Sequence, residues 1–232
     1  MDESEDGPIE AMLAIYESKL RELRTLREQI FKDPAHGKRF DEIYKTDWYE
    51  SQQDRWAGCH CFANRWFMLH TLPRRGTIVE VGTQRGKWAR QILNICAPKK
   101  LYTVDISYGL FVYGDFSSEL ANKTLEIMQG DSAEELKKLP DGSCDWIYID
   151  AGHAYGHVRN DTLVALSKIK PDGYLVFNDF TNFSPVEFLH YGVLRVALET
   201  AAQEDMVFTH FALGPTGYHD VALRRRLYTL EG

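Results

Sequence analysis

Cysteine is scarce in this 232-residue sequence, which contains only Cys59, Cys61, Cys96 and Cys144. Cys59 and Cys61 lack the second pair that a zinc-finger site requires, and the thiols of a cytosolic protein stay reduced. We therefore expect four reduced thiols, with Cys96 and Cys144 as small core residues.

Long apolar runs and positive charge are scarce too. No apolar run approaches the roughly 18 residues of a membrane span, and the acidic N-terminus lacks the basic and apolar pattern of a signal peptide. A formal net charge of −7 disfavours binding to nucleic acid or to an anionic membrane surface. We expect a cytoplasmic protein that binds neither membrane nor nucleic acid.

What the sequence does contain begins with an amphipathic stretch. Residues 9–31 predict a helix, because Ile9, Leu13, Tyr16 and Leu20 recur at steps of three and four residues. This apolar stripe needs a partner surface. The partner is either the rest of the same domain or a second copy of the chain in a homodimer.

Residues 51–71 predict a second helix that is rich in aromatic side chains. Most of these aromatics are expected in the core, and the alternative is a wall of a substrate pocket. Residues 1–75 are therefore expected to form an N-terminal helical segment that serves oligomerisation or covers the substrate.

From Thr77 onward, short apolar strands alternate with helical stretches. This rhythm predicts a doubly wound α/β domain over residues 76–232, with a mostly parallel sheet covered by helices on both faces. The expected strands are Thr77–Val81, Lys100–Val104, Leu125–Met128, Trp146–Ile149 and Tyr174–Asn178, and the expected helices are 87–96, 117–123, 133–139, 156–169 and 185–204. Pro171-Asp172-Gly173 predicts a turn before the fifth strand. Met206–Leu213 and Tyr218–Leu223 predict an antiparallel C-terminal strand pair.

Ligands of such a sheet bind beyond the carboxyl ends of its strands, so the residues that follow each strand are candidate site residues. Gly82 and Gly86 follow the first strand in a G-x-x-x-G turn, which differs from the G-x-G-x-x-G of dinucleotide-binding proteins. Glu80 would repel a pyrophosphate and attract a cofactor that carries a cationic sulfonium and ammonium. A plain tight turn explains the motif equally well.

Two further strands end in candidate cofactor ligands. Asp105 ends the second strand, where a carboxylate can accept hydrogen bonds from a ribose diol. Asp131 and Ser132 follow the third strand, where they can contact an adenine amino group. The alternative is that Asp131 only caps the helix that follows.

In chain order, Glu80-x-Gly82-x-x-x-Gly86, Asp105, Gly130-Asp131-Ser132 and the Pro171-Asp172-Gly173 turn resemble the motifs of class I S-adenosylmethionine-dependent methyltransferases. The likeness covers about residues 76–225. It implies that Glu80 and Gly82 lie near the methionine part of S-adenosylmethionine. It also implies that Asp105 lies near the ribose and Asp131 near the adenine.

The fourth and fifth strands end in acidic and amide side chains. Asp150 follows the fourth strand, and Asn178 and Asp179 follow the fifth. Adjacent strand ends place two carboxylates and an amide oxygen together, a donor set that suits Mg²⁺. The alternative is a group of solvated acids and loop caps, although two buried neighbouring carboxylates without a cation are costly.

Asp150-Ala151-Gly152-His153 resembles the divalent-metal-dependent O-methyltransferases, above all those that methylate sugars and hydroxyls of bacterial natural products. Catechol O-methyltransferases are more distantly similar and have Lys where His153 stands. The resemblance implies that Asp150, Asn178 and Asp179 bind Mg²⁺ and that His153 is the base. The family has two acids or Asp-Asn where this chain has Asn178-Asp179, so Asn178 is either a ligand or a group behind the ligands.

His157 lies four residues beyond His153. With Asp150, the two histidines are residue types that could bind a transition metal. Asp150 and His153 are expected in a loop, however, where a spacing of four residues does not place side chains on one face. We therefore expect a surface or capping role for His157.

The sequence thus predicts an S-adenosylmethionine- and Mg²⁺-dependent O-methyltransferase that acts on a small hydroxylated molecule, either a sugar-bearing natural product or a phenol. One alternative is a metal-independent methyltransferase that acts on nitrogen or oxygen, which activity in EDTA would favour. The other is a non-catalytic module that binds S-adenosylmethionine, which tight cofactor binding without turnover of any hydroxyl acceptor would favour.

Overall fold

A computed structural model describes residues 6–32 and 52–226. The chain divides into two compact units, residues 1–51 and residues 52–232. Of the first unit the structure describes one helix, α1 (Asp6–Lys32), which includes the whole predicted N-terminal helix. No helix in the described ranges is both long enough and apolar enough to cross a membrane.

Six large apolar side chains of α1 are exposed. Met12 keeps 70% of its accessible surface and Ile15 keeps 63%. The other exposed apolar side chains of this helix are Leu13, Tyr16, Leu23 and Leu26. Burying one large aliphatic side chain is worth about 1.5–3 kcal/mol, so covering this face would stabilise the protein. The homodimer that would cover it stays a prediction.

The second unit is built on ten strands and six helices in the described part of the chain. The strands are β1 (His60–Phe62), β2 (Thr77–Val81), β3 (Lys100–Asp105), β4 (Leu125–Gln129), β5 (Cys144–Ile149), β6 (Ile169–Phe177), β7 (Phe183–Ser184), β8 (Leu189–His190), β9 (Met206–Ala212) and β10 (Asp220–Arg225). The helices are α2 (Arg65–Leu69), α3 (Lys87–Cys96), α4 (Ser117–Ala121), α5 (Ser132–Lys137), α6 (Tyr155–Lys168) and α7 (Val193–Gln203).

Eight of these strands form one sheet in the order β1-β9-β10-β6-β5-β2-β3-β4, and β7 pairs with β8 alone. Neighbouring strands are parallel except at β10, which is antiparallel to both β6 and β9. The chain runs from β2 outward to β3 and β4, and then returns to β5 on the other side of β2. The doubly wound α/β fold with an antiparallel C-terminal pair is therefore confirmed, and the order reverses between β2 and β5, where such folds bind ligands.

The centre of the sheet is apolar and covered on both faces. In β2, every side chain from Ile78 to Val81 is buried, as expected of a parallel strand between two helical layers. The main core cluster joins the sheet to α2 and α3 through residues such as Met68, Ile92 and Trp146. Helices α5, α6 and α7 pack against one another in series.

The helix predicted over residues 51–71 is wrong. This segment forms a 3₁₀ turn, then β1 at the edge of the sheet beside β9, and then the short α2. Gly58 has φ of +81°, which a helix does not accommodate. Asn64 accepts hydrogen bonds from the backbone N–H groups of Trp66 and Phe67, so a new helix begins there.

Two other boundaries also differ from the predictions. The Pro171-Asp172-Gly173 segment is not a turn ahead of a strand but lies within β6, where the pairing with β5 shifts in register. The helix predicted over 185–204 begins only at Val193, because the β7–β8 hairpin occupies the first part. Phe188, with φ of +57°, lies in the connection of this hairpin and is not helical.

Removal of the N-terminal helix tests the predicted dimer. In light scattering, we expect the full-length chain to be a dimer and a variant without residues 1–32 to be a monomer, since the apolar face of α1 is gone. A Met12→Glu/Ile15→Glu variant should also be monomeric, because it charges the same face. Ser18→Glu adds a charge at an exposed polar position and should leave the dimer intact. A full-length chain that stays monomeric at high concentration would contradict the prediction.

Candidate active site

A cavity of about 1150 Å³ lies at the carboxyl ends of β2, β3 and β5. This volume can hold a cofactor together with a small second molecule. The predicted site residues that line it are Glu80, Gly82, Gly86, Asp105, Asp131, Ser132, Asp150 and His153. Asn178 and Asp179 do not line the cavity but lie next to it, in contact with Asp150 and His153.

Gly82 allows β2 and β5 to approach each other closely where they end. It has φ of +89°, and a Cβ atom at this position would lie 2.0 Å from the carbonyl oxygen of Asp150. Gly86 has φ of +81° at the start of α3, where a Cβ atom would lie 2.7 Å from the rings of Phe111 and Phe116. Both glycines of the predicted turn are therefore required by the packing around them.

Asp105 holds the glycine turn in place. One of its carboxylate oxygens accepts hydrogen bonds from the backbone N–H groups of Thr83 and Gln84, each at 2.8 Å. The other accepts one from the N–H of Ser107 at 3.0 Å. Hydrogen bonds to an ionised carboxylate are strong, so Asp105 stiffens this wall of the cavity. Its contact with a ribose stays a prediction.

Glu80 is a buried carboxylate that lines the cavity. Its side chain is fully buried, and neither oxygen has a hydrogen-bond partner among the described residues. Burial, together with the charge of Asp150, raises the pKa of Glu80 well above its usual range. A cationic ligand group would relieve the cost of this unpaired carboxylate, so the residue fits the cationic cofactor that the sequence predicts.

The opposite end of the cavity is formed by the start of α5. Asp131 accepts a hydrogen bond from the N–H of Glu134 at 3.1 Å, so it does cap this helix, and it also lines the cavity. Capping therefore does not exclude a contact with adenine. The hydroxyl of Ser132 donates to Asp161 at 2.5 Å, and burial raises the pKa of Asp161. Asp161, which lies on α6, was not among the predicted site residues.

His153 lies between two carboxylates. Its Nε2 atom is 3.7 Å from Oδ1 of Asp150 and 3.5 Å from Oδ2 of Asp179. The imidazole stacks on Tyr191 with ring centroids 4.4 Å apart, and the carbonyl oxygen of His153 accepts a hydrogen bond from the N–H of Gly192 at 2.8 Å. These contacts hold the ring in place, while Nε2 is buried and has no hydrogen-bond partner among the described residues.

The three groups shift one another's pKa values. Burial raises the pKa of Asp150 against the opposing effect of His153, and burial together with Asp150 raises the pKa of Asp179 to about 6. Burial lowers the pKa of His153, but the two carboxylates outweigh it, so the net shift is upward. Neighbouring acids with raised pKa values stabilise a cation between them.

The fold is shared with solved methyltransferases. The O-methyltransferase TomG of Streptomyces achromogenes, solved with S-adenosylmethionine, is 21% identical, and 70% of this chain aligns with 80% of it at a TM-score of 0.52. An O-methyltransferase of Bacillus cereus, solved with S-adenosylhomocysteine, is 18% identical over 69% of this chain and 78% of its own, at a TM-score of 0.52. The tRNA methyltransferase TrmK of B. subtilis is 15% identical over 71% and 67%, at a TM-score of 0.53.

Residues 79–180 match a family described as a methyltransferase domain. The fold is that of class I S-adenosylmethionine-dependent methyltransferases. A comparison with curated proteins finds no match. The solved methyltransferases above act on different acceptors, and their likeness establishes only the fold of this chain.

Asn178 connects Asp150, one of the two carboxylates beside His153, to Arg65. Its Nδ2 donates to Oδ1 of Asp150 at 2.7 Å, and its Oδ1 accepts from Nη1 of Arg65 at 3.1 Å. The amide oxygen thus faces Arg65 and not the carboxylates. Ligation of a metal ion by Asn178 would require this carboxamide to rotate and lose its hydrogen bond from Arg65, so its predicted place among the ligands stays a prediction.

Besides Asp161, three residues of this site were missed in the sequence. Tyr148 donates to a carboxylate oxygen of Asp220 at 2.6 Å, and burial raises the pKa of Asp220 to about 7. Arg65 lies with its guanidinium 4.5 Å from the ring centre of Trp88. Tyr148 could have been found from strand register, since it lies directly beside Glu80 in the sheet. No local signal marks Arg65 or Asp220, because both come from segments outside the central strands.

Replacement of Gly82 tests whether the close approach of β2 and β5 supports cofactor binding. Gly82→Ala should weaken binding of S-adenosylhomocysteine in calorimetry by tenfold or more, because its Cβ atom would displace the backbone of Asp150. A left-handed backbone at a non-glycine residue adds strain of about 1–3 kcal/mol. Gly109→Ala is the matched control, since its Cβ atom would meet only the hydroxyl of Ser107, at 3.5 Å. Equal affinity in both variants would show that this contact does not shape the site.

Proposed function

We propose that this methyltransferase transfers the methyl group of S-adenosylmethionine to a hydroxyl oxygen of a small molecule, with Mg²⁺ at Asp150 and Asp179 and with His153 as the base. The proposal rests on the position of His153. Its unpartnered Nε2 lies within 3.7 Å of both carboxylates, and its side chain lines the same cavity as Glu80. The acceptor we propose is a sugar-bearing natural product or a phenol.

Cofactor binding follows from the residues along the cavity. S-adenosylmethionine, when bound, supplies a methyl group on a positively charged sulfur. Glu80 offers a buried negative charge to its cationic end, and Asp105 offers a carboxylate to the ribose hydroxyls. Gly82 allows the glycine turn after β2 to lie against the backbone of Asp150. The cofactor and the acceptor are therefore held in one cavity. Such positioning lowers the barrier by removing the entropy cost of bringing two reactants together.

The two carboxylates fit a divalent cation. Mg²⁺ is commonly held by one or two carboxylates together with water. Burial raises the pKa values of Asp150 and Asp179, so a cation bound between them would offset the cost of burying their ionised forms. A bound Mg²⁺ would stabilise the negative charge that develops on the acceptor oxygen. Within residues 6–32 and 52–226, no three His, Cys, Asp or Glu side chains are grouped to hold a metal ion, so the remaining ligands would be water and acceptor.

His153 removes the acceptor proton. As the acceptor oxygen bonds to the methyl carbon and the bond from that carbon to sulfur breaks, the hydroxyl proton passes to Nε2, and the carboxylates of Asp150 and Asp179 stabilise the imidazolium that forms. The stacking of the ring on Tyr191 keeps Nε2 directed at this place. The upward shift of the pKa of His153 reflects the same stabilisation of its protonated form.

A metal-independent methyltransferase that acts on nitrogen or oxygen is the second candidate. One observation favours it. Arg65 already donates a hydrogen bond to the amide oxygen of Asn178 and lies near Asp150. In that case Arg65 and His153 supply the positive charge that balances Asp150 and Asp179. A module that binds S-adenosylmethionine without catalysis has no use for an unpartnered buried histidine and is the third candidate.

Removal of the metal separates the first two candidates. Turnover of a panel of sugars and phenols with labelled S-adenosylmethionine should stop in EDTA and return with Mg²⁺. Asp150→Ala and Asp179→Ala should lose activity and its dependence on Mg²⁺ while still binding S-adenosylhomocysteine. Asp172→Ala removes an exposed carboxylate of β6 and should keep both properties. Full activity in EDTA would rule out the metal and support the second candidate.

Replacement of His153 tests the base. His153→Ala should bind S-adenosylhomocysteine and Mg²⁺ like the wild type but turn over about 10²–10⁴ times more slowly, which is the usual contribution of a positioned general base. His70→Ala removes an exposed histidine at the end of α2 and should be as active as the wild type. If His153→Ala keeps full activity, His153 is not the base, and His157→Ala becomes the next variant to measure.

A further inference from the structure

Exposed apolar side chains are concentrated at one edge of the sheet. All but one of the large apolar side chains that are exposed within residues 52–226 lie in loops or short elements shortly after the carboxyl ends of β1, β3, β6 and β9. The exception is Leu163, in the middle of α6. The cavity lies at the same edge, where parallel strands bring their carboxyl ends together. Exposed apolar surface beside a ligand cavity indicates a place where something binds.

The β7–β8 hairpin carries a large part of this surface. Its exposed apolar side chains are Phe183, Val186, Phe188 and Leu189. Residues 182–191 contain no lysine or arginine, and their one carboxylate, that of Glu187, accepts a hydrogen bond from the hydroxyl of Tyr191 at 2.7 Å. The hairpin therefore offers apolar contacts to an uncharged group and offers no cation to an anionic surface.

The hairpin is fixed to the body of the domain. Ser184 is fully buried, and its hydroxyl lies 2.5 Å from the hydroxyl of Tyr218, in the connection between β9 and β10. The hydroxyl of Ser184 also accepts a hydrogen bond from the backbone N–H of Glu187 at 2.9 Å. The apolar side chains are thus displayed on a supported hairpin, where covering them would be favourable.

Both ends of the hairpin lie at the candidate active site. The chain leaves β6 through Asp179, whose carboxylate is 3.5 Å from Nε2 of His153. It returns at Tyr191, whose ring stacks on the imidazole of His153. The backbone N–H of Tyr191 donates to the oxygen of Asn182 at 3.0 Å and so closes the base of the hairpin. A molecule bound beside His153 therefore has the apolar hairpin as its neighbour.

We propose that the β7–β8 hairpin binds an extended apolar group of the acceptor while the acceptor hydroxyl lies beside His153. The acceptor is then a hydroxylated molecule with an alkyl or aromatic extension that reaches beyond the cavity. The position of the hairpin favours this occupant, because both of its ends contact the residues around the proposed base. The inference rests on the proposed transfer to a hydroxyl oxygen and does not depend on Mg²⁺.

Pairs of neutral probes that differ only in chain length measure the contribution of the hairpin. 4-Propylphenol and 4-hexylphenol form one pair, and propyl and hexyl β-glucoside form the other, so both proposed kinds of acceptor are covered. Each probe is titrated by calorimetry into the full-length protein saturated with S-adenosylhomocysteine. Full burial of one methylene raises affinity about fourfold, so at least one hexyl probe should bind about 5- to 50-fold more tightly than its propyl partner.

Substitutions on the hairpin should remove this gain in affinity. Val186→Ser/Phe188→Asn replaces two exposed apolar side chains, and asparagine suits the left-handed backbone at position 188. In this variant the hexyl probe should bind no more than about twofold more tightly than the propyl probe, since little apolar area remains to be buried. Leu163→Ser, on α6, is the matched control and should keep the whole gain. Leu189→Ser should lose part of the gain, which keeps the test decisive if the double variant does not fold.

Two further measurements separate the acceptor from other occupants of the hairpin. Light scattering should give the wild type and the double variant the same oligomeric state, and neither protein should sediment with phosphatidylcholine vesicles. A lower oligomeric state of the double variant would show that a second copy of the chain covers the hairpin. Sedimentation of the wild type alone would show that a lipid surface does. Either result overturns the proposal.

The proposal is also overturned if neither hexyl probe binds more tightly than its propyl partner, or if the double variant keeps the gain. Neither of these results would bear on the proposed O-methylation, which is measured by turnover in the presence and absence of EDTA.

Discussion

The contact between Gly82 and the backbone of Asp150 is the constraint on which the rest of the site depends. It joins the end of β2, where the cofactor turn begins, to the end of β5, where the acidic cluster begins. Backbone hydrogen bonds support it, from the N–H of Gly82 to the oxygen of Val104 and from the N–H of Asp150 to the oxygen of Val81. Because the order of strands reverses between β2 and β5, the space beyond this contact is open to ligands. Cofactor and acceptor chemistry therefore share one cavity.

Around this contact the protein groups four carboxylates. Burial, followed by the charge of Asp150, raises the pKa values of Glu80, Asp179 and Asp220. Arg65 and His153 are the nearby cations that act on this group. A sulfonium, an ammonium or a metal ion placed here would complete the balance. The electrostatics of the site thus favour cationic ligand groups.

The sequence predicted the central sheet closely because its signals are local. The first and last residues of β2 and α3 are the predicted ones. Each element has a clear apolar pattern and is bounded by glycine or by a polar turn. The prediction failed where an element depends on a distant partner. Strand β1 has three residues and is stabilised by its pairing with β9. The aromatic residues around it give a sequence pattern that is typical of a buried helix. The β7–β8 hairpin likewise broke a stretch that was expected to be helical.

By itself, the sequence determined the class of fold and the residues at the strand ends, because parallel strands bring their carboxyl ends to one edge wherever the chain alternates between strand and helix. It could place Asp150, His153, Asn178 and Asp179 together for the same reason. Only the tertiary structure decided which way Asn178 faces. That orientation is set by a hydrogen bond from Arg65, which lies 113 residues earlier in the chain. The residues around Asn178 in the sequence do not indicate so distant a donor. The direction of a side chain depends on the partners that packing supplies, and these are absent until the chain has folded.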